Sequence, residues 1–256
     1  MRARAPAKLP VQDARRIPAH LLRRSQVRLA ARAAYLVARR TAATLTIERR
    51  LGVETARELG LAELGLDARE RCRYEPSAWH ALRRILAPEE IGADDVFLDV
   101  GAGKGRVLLQ ALRYPFKRVI GVELSPQLAA IALGNLARCS DPVMAGAHEV
   151  ITADATRFPI PDEVTVIYMF NPLRGAAFRE LLARIGESVE RRPRPLRLIY
   201  NTPLEEAALL ESGLFLPLRA VRGRRPGRAW AEKTAIRMYV LRAELCGGDS
   251  EHGATR

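Results

Sequence analysis

The sequence predicts an α/β fold: a doubly wound, mostly parallel sheet of seven strands preceded by a helical N-terminal extension. Three observations carry this reading. Short Val/Ile/Leu-rich runs alternate with helical patterns from residue 95 to residue 201, and such alternation demands a parallel sheet covered on both faces. The first run, VFLDV, passes through the glycine-rich turn GAGKG straight into a helical pattern. The last two β-rich segments, LFLPLRAV and TAIRMYVLRAE, are separated only by GRRPGRAWAEK, read as a basic turn or loop. One of these two strands is therefore expected to run antiparallel at the sheet edge.

Taken in order, residues 1–20 carry Pro6, Pro10 and Pro18 and no periodicity, which predicts a flexible basic arm. From His20 to Leu64 the composition turns helical. Leu22, Leu29, Ala33 and Leu36 share one face, and Gly52 breaks the run. Ser77 is placed to cap a second helix, SAWHALRRIL, that stops before Pro88. Then follow the strand VFLDV, the helix KGRVLLQALRY, the strand RVIGVEL, and a helix opened by Pro126, a residue favoured in the first turn. HEVITA and VTVIYMF are strands three and four, GAAFRELLARIGESVERR is a helix, and LRLIYNTP is strand five. The implied organisation is an arm at 1–20, a helical extension at 21–90, a ligand-binding domain at 91–243 and a disordered tail at 244–256.

The chain of 256 residues, 48% hydrophobic, is long enough to bury a full core in one domain. No apolar run reaches 18 residues, and the N-terminus lacks the apolar stretch of a secretory signal. Cys72, Cys139 and Cys246 are odd in number and far apart, which suits a reducing cytoplasm and suggests neither disulfides nor a metal site. The net charge of +13 is concentrated: residues 1–40 hold eleven Arg/Lys against Asp13, and residues 219–237 hold seven against Glu232. Such segments suit an anionic partner, nucleic acid, anionic lipid or acidic protein, with a solvated arm as the simpler alternative for residues 1–40.

The glycine turn narrows the ligand. Ligands of parallel sheets sit beyond the carboxyl ends of the strands. Gly101, Gly103 and Gly105 let the backbone turn with positive φ and let a ligand approach without meeting a Cβ. Dinucleotide sites use GxGxxG around a pyrophosphate. Here the third glycine comes one residue early, and Asp99 stands where a carboxylate would repel a phosphate but hold an ammonium. A nucleoside joined to an amino acid without phosphate fits, and S-adenosylmethionine is such a ligand. Glu123 ends the second strand, where its carboxylate can accept both ribose hydroxyls. Asp154, with Ala155 beside it, ends the third strand, placed for the adenine amine.

LDVGAGKGR, GVELSP, TADAT and FNP, in this order, resemble the motifs of the class I S-adenosylmethionine-dependent methyltransferases, over residues 95–241. YEPSAWHALRRIL followed by the glycine turn resembles, more narrowly, a poorly characterised bacterial group. The resemblance implies a Rossmann-like sheet and Asn171-Pro172 as the pair that meets the target nitrogen. Amino-methylating members carry [DNS]-P-P-[FYW] there, whereas this chain reads NPLR. The expected acceptor is a nitrogen on a protein side chain or small molecule. Two other readings stand beside it: a nucleotide-dependent oxidoreductase on a related sheet, and a non-catalytic protein that holds RNA through basic segments. Tyr74 and Glu75 are read either as a lid over the cofactor or, for Tyr74, as packing on the first helix. Trp79 and Trp230 read as core and loop anchors.

Overall fold

The computed structural model describes residues 19–60, 62–65, 74–141, 143–223, 225 and 227–242. Most of the expected arm and all of the expected tail lie outside them. Two compact units divide at Ala42/Ala43. In the first lies helix α1, Ala19–Ala43, which holds six arginines and no acid. Val27, Leu29 and Val37 on it are exposed, so the face that Leu29 and Ala33 share is not a buried one.

The second unit opens with the π-helical turn Thr44–Glu48 and the short helix α2, Arg49–Leu51. Gly52 ends this run in the left-handed conformation that favours glycine. Its sheet has seven strands: β1 Val96–Val100, β2 Arg118–Glu123, β3 Ala147–Thr152, β4 Val164–Met169, β5 Arg197–Asn201, β6 Phe215–Val221 and β7 Ile236–Leu241. They lie in the order β3-β2-β1-β4-β5-β7-β6. The first five are parallel, as the buried apolar runs demanded. The antiparallel strand is β7, and it sits one position in from the edge, between β5 and β6. A strand inserted there reverses the chain, so the segment joining β6 to β7 emerges at the same end as the carboxyl ends of β1 to β5.

The helices are α3 Arg106–Ala111, α4 Pro126–Arg138, α5 Gly175–Arg191, α6 Glu206–Glu211 and α7 Arg228–Lys233. Ser125 caps α4, its hydroxyl accepting from the Leu128 N–H at 3.3 Å. The basic segment read as a loop thus contains the short helix α7. Two apolar clusters cover the sheet, one under α3 and the chain at 79–91, the other under α5 and α6.

The helix expected from Ser77 does not form; a turn and the single 3₁₀ turn Leu82–Arg84 stand there instead. The cause is competition for the backbone. Arg106 donates to the Ser77 carbonyl at 2.9 Å, and Gln110 donates to the Ala78 carbonyl and accepts from the Leu82 N–H, both at 3.1 Å. The Ser77 hydroxyl pairs with the Tyr168 hydroxyl at 2.9 Å rather than capping. Nor does packing break at residue 90, where composition placed a boundary. Leu51, Val53, Trp79, Leu82 and Ile91 share one apolar cluster with Phe97 of β1.

Candidate active site

Because β1 to β4 are parallel, their carboxyl ends bring Asp99, Glu123, Asp154 and Asn171 to one edge of the sheet. Asp99 faces Gly121 on β2 and Tyr168 on β4 in the strand register. It is 3% exposed, and no side-chain hydrogen bond reaches its carboxylate among the described residues. Burial first, and the nearby Glu123 carboxylate second, push its acid well above the usual carboxylate range. Burying a carboxylate without a partner is costly. A cation delivered to this spot would remove the cost.

Glu123 is held differently. It accepts from the Gly103 N–H at 2.7 Å through one oxygen and from the Ser125 N–H at 2.9 Å through the other. Burial raises its acid, while these backbone donors lower it. An ionised carboxylate has about four acceptor sites, so two remain after the backbone is served. Asp154 is half-buried, and its Oδ1 accepts from the Thr156 N–H at 3.0 Å and the Thr156 hydroxyl at 2.9 Å. Ala155, half-buried, packs on the apolar cluster beneath.

The turn itself has positive φ at Gly101 (76°), Gly103 (56°) and Gly105 (81°). Protein also crowds it. A Cβ on Gly101 would lie 2.8 Å from the Pro172 Cβ, and one on Gly103 would lie 2.3 Å from the Tyr74 ring. Gly105 caps α3. Tyr74 therefore lies on the glycine turn; its hydroxyl donates to the Thr55 carbonyl at 2.7 Å, and its burial raises its own pKa.

Asn171 is buried, with a left-handed φ of 45° that asparagine tolerates better than most residues. Its Oδ1 accepts from the Leu204 N–H at 3.3 Å, which ties the end of β4 to the end of β5. Pro172 abuts Gly101, so the pair expected to meet the acceptor sits directly against the cofactor turn. Thr202, just past β5, also has a left-handed φ (55°), and Asn201 donates to the Tyr168 hydroxyl at 3.0 Å. Neither Asn201 nor Thr202 stood out in the sequence.

A second group escaped sequence reasoning altogether. Lys104 and Arg106 lie in and after the glycine turn yet reach toward the preceding chain. Lys104 donates to both oxygens of Glu54, at 2.9 and 2.7 Å. Arg106, 7% exposed, donates to Glu48 at 2.7 Å and to the Thr55 hydroxyl at 2.6 Å, with Trp79 under its guanidinium at 4.9 Å. Trp79 is a core anchor, as read. Asn135 of α4 completes the staple: it donates to the carbonyls of Glu54 and Lys104, both at 2.9 Å, and accepts from the Glu54 N–H at 3.0 Å.

Residues 97–190 match the family profile of a methyltransferase domain. The match takes in 94 of the 256 residues, and over that stretch the chain is similar to methyltransferase domains. Among curated relatives, a protein-lysine N-methyltransferase of Saccharolobus islandicus (strain REY15A) is 28% identical over 98 residues, 38% of this chain and 58% of that protein. The ribosomal RNA small subunit methyltransferase A of Thermobifida fusca (strain YX) is 38% identical over 84 residues, 32% of this chain and 28% of that protein. The chain thus spans less than two thirds of either relative. Among solved structures, an RNA methyltransferase from Salinibacter ruber in complex with S-adenosyl-L-homocysteine superposes with a TM-score of 0.47 at 20% identity, over 66% of this chain and 95% of that one. Among the described residues no helix is long and apolar enough to cross a membrane.

Proposed function

We propose that the chain is a cytoplasmic enzyme that transfers a methyl group from S-adenosylmethionine to a nitrogen. The observation that carries the reading is Asp99, a buried carboxylate without a hydrogen-bond partner among the described residues, set against Glu123 at the mouth of the glycine turn. S-adenosylmethionine bears a cationic ammonium and sulfonium, a nucleoside and no phosphate, and these residues fit such a group. In this reading Asp99 neutralises the ammonium, Glu123 accepts the ribose hydroxyls with its two remaining acceptor sites, Asp154 and Ala155 border the adenine, and Gly101 to Gly105 wrap the chain between. A pyrophosphate in the same place would meet two carboxylates, which argues against the oxidoreductase alternative.

When bound, the cofactor supplies a methyl carbon on a sulfonium whose departure needs no acid. The protein's task is then alignment, excluding water and holding the acceptor in line. Asn171 and Pro172 border that position. The backbone carbonyl of Asn171, and whatever capacity its side chain keeps beside Leu204, hold the acceptor's N–H groups. A base is needed only if the nitrogen arrives protonated. The curated relatives act on protein lysine in one case and ribosomal RNA in the other, so the acceptor class needs an observation of its own.

Calorimetry with S-adenosylmethionine and with NAD tests the reading. Saturable binding of the first, weakened by Asp99→Asn, supports it. Preference for NAD, or binding indifferent to Asp99, overturns it.

A further inference from the structure

The reversal at β7 places an arginine-rich segment beside the acceptor side of this site. Residues 222–233, RGRRPGRAWAEK, hold four arginines and Lys233 against Glu232 alone. The segment leaves the end of β6 and returns through α7 to β7, whose first residue, Ile236, pairs with both Asn201 and Val221. The Thr202 N–H donates to the Ala235 carbonyl at 2.8 Å, and Leu204, two residues on, donates to Asn171. The basic segment and Asn171 are therefore joined through one short stretch of chain, 201–204.

Arg222 and Arg228 are mostly exposed, their side chains at 67% and 79%, and both draw on the same acid, at 3.9 and 2.9 Å from Glu232. Two guanidiniums sharing one carboxylate leave positive charge over. Arg225 lies 5.6 Å from the centre of the Trp230 ring, and its Nε is buried with no hydrogen-bond partner among the described residues. Arg84, from the turn after Trp79, donates to the Arg222 carbonyl and adds another guanidinium to this corner.

We propose that this ridge binds the phosphate backbone of single-stranded nucleic acid and presents the strand to the acceptor side of the methyltransferase site. The proposal rests on the methyltransferase reading above for its purpose, though not for the binding itself. Two features favour a nucleic acid over an acidic protein. The cations are nearly all arginine, whose planar fork matches phosphate oxygens in a bidentate way. One of them, Arg225, also lies over the ring of Trp230, and backbone-tracking cations beside an aromatic are how single strands are held without sequence preference.

The test uses the full chain and a fluorescent single-stranded RNA of about 16 nucleotides, with DNA of the same sequence and a polyglutamate peptide in parallel. Replacing Arg222, Arg225 and Arg228 together by Gln should weaken RNA binding by at least about tenfold and lower the log–log salt slope by about 2, at roughly 0.7 for each phosphate left without its arginine. Glu232→Gln, which removes the segment's one acid, should act in the opposite direction and tighten binding, so the proposal does not hang on one variant's folding. Photocrosslinking with 4-thiouridine RNA should mark the peptide containing Trp230. The DNA arm shows whether the 2′-hydroxyl matters. Unchanged affinity in the triple variant, crosslinks confined to residues 1–40, or tight binding of polyglutamate in place of RNA would each overturn the proposal. Calorimetry of the same variants with S-adenosylmethionine keeps the two readings apart: wild-type protein that binds RNA but not the cofactor sinks the enzyme reading and leaves the ridge standing.

Discussion

The two flanks of the glycine turn treat buried charge in opposite ways. On the strand-end flank, Asp99 has no hydrogen-bond partner among the described residues, and the Glu123 carboxylate nearby disfavours its charge further. On the other flank, Arg106 is buried but satisfied by Glu48, Thr55 and the Ser77 carbonyl, and Lys104 is gripped by Glu54. A group left short of partners marks where something else is meant to bind, whereas a saturated one marks a joint. The lesson is that charge type near a glycine turn is a poor guide to ligand contact; saturation is a better one. Four substitutions sharpen or break the contrast.

The largest effect is expected at the joint. Glu48→Ala leaves the Arg106 guanidinium buried without its anion, and breaking such a pair costs about 3–5 kcal/mol. Urea denaturation followed by circular dichroism should show the midpoint falling accordingly; a loss below about 1 kcal/mol would mean that the pair behaves like a surface one. Gly101→Val comes next. It forces a branched side chain into a left-handed φ and against Pro172, so cofactor binding by calorimetry should fall below detection while the sheet's dichroism persists. Native affinity with a native spectrum would remove Gly101 from the site.

Glu123→Ala removes an acceptor bonded to two backbone N–H groups and assigned to the ribose. A loss of about 1.5–3 kcal/mol in binding is expected for hydrogen bonds to a charged group, roughly ten- to hundredfold in Kd. A 2′,3′-dideoxy cofactor analogue that binds wild-type protein as well as the parent compound would refute the ribose role. The smallest effect, and the one of opposite sign, is on stability at Asp99. Its folded pKa is raised, so its stabilising contribution is complete below the unfolded value near 3.9 and is lost as pH rises through the folded value. Asp99→Asn should therefore make the ligand-free protein more stable near neutral pH, with the gain vanishing below about pH 4, while weakening cofactor binding. Cofactor binding to wild-type protein should also release protons, visible as a calorimetric heat that depends on the buffer. A gain that persists at low pH would assign the effect to packing.

Much of the site was readable because it is local. Asp99, Gly101, Gly103 and Gly105 fall within seven consecutive residues, and a strand-turn-helix unit needs only nearby sequence to form. Glu123 and Asp154 could be placed because parallel strands must end at the same edge. The joint was not readable. Glu48 and Arg106 stand 58 positions apart and Glu54 and Lys104 50 apart, and no periodicity links a loop to a helix across that distance. Tyr74 was left between two roles for the same reason, until its ring was seen on Gly103. Likewise Ser77 kept its helix-capping appearance because a helix cap is a local rule, while the side chains that took its backbone arrive from α3.

The sequence by itself determined the seven strands, their mostly parallel run and the acidic strand ends beside the glycine turn, since apolar runs, turn residues and strand-end acids act over a few residues each. Only the tertiary structure decided that the N-terminal stretch from Thr44 belongs to the core, that Lys104 and Arg106 turn away from the strand-end acids, and that β7 inserts next to β5. That insertion carries the arginine segment to the acceptor end. These choices depend on which distant groups can satisfy one another once water is excluded, and the cost of a buried unpaired charge is settled only when the whole chain has folded around it.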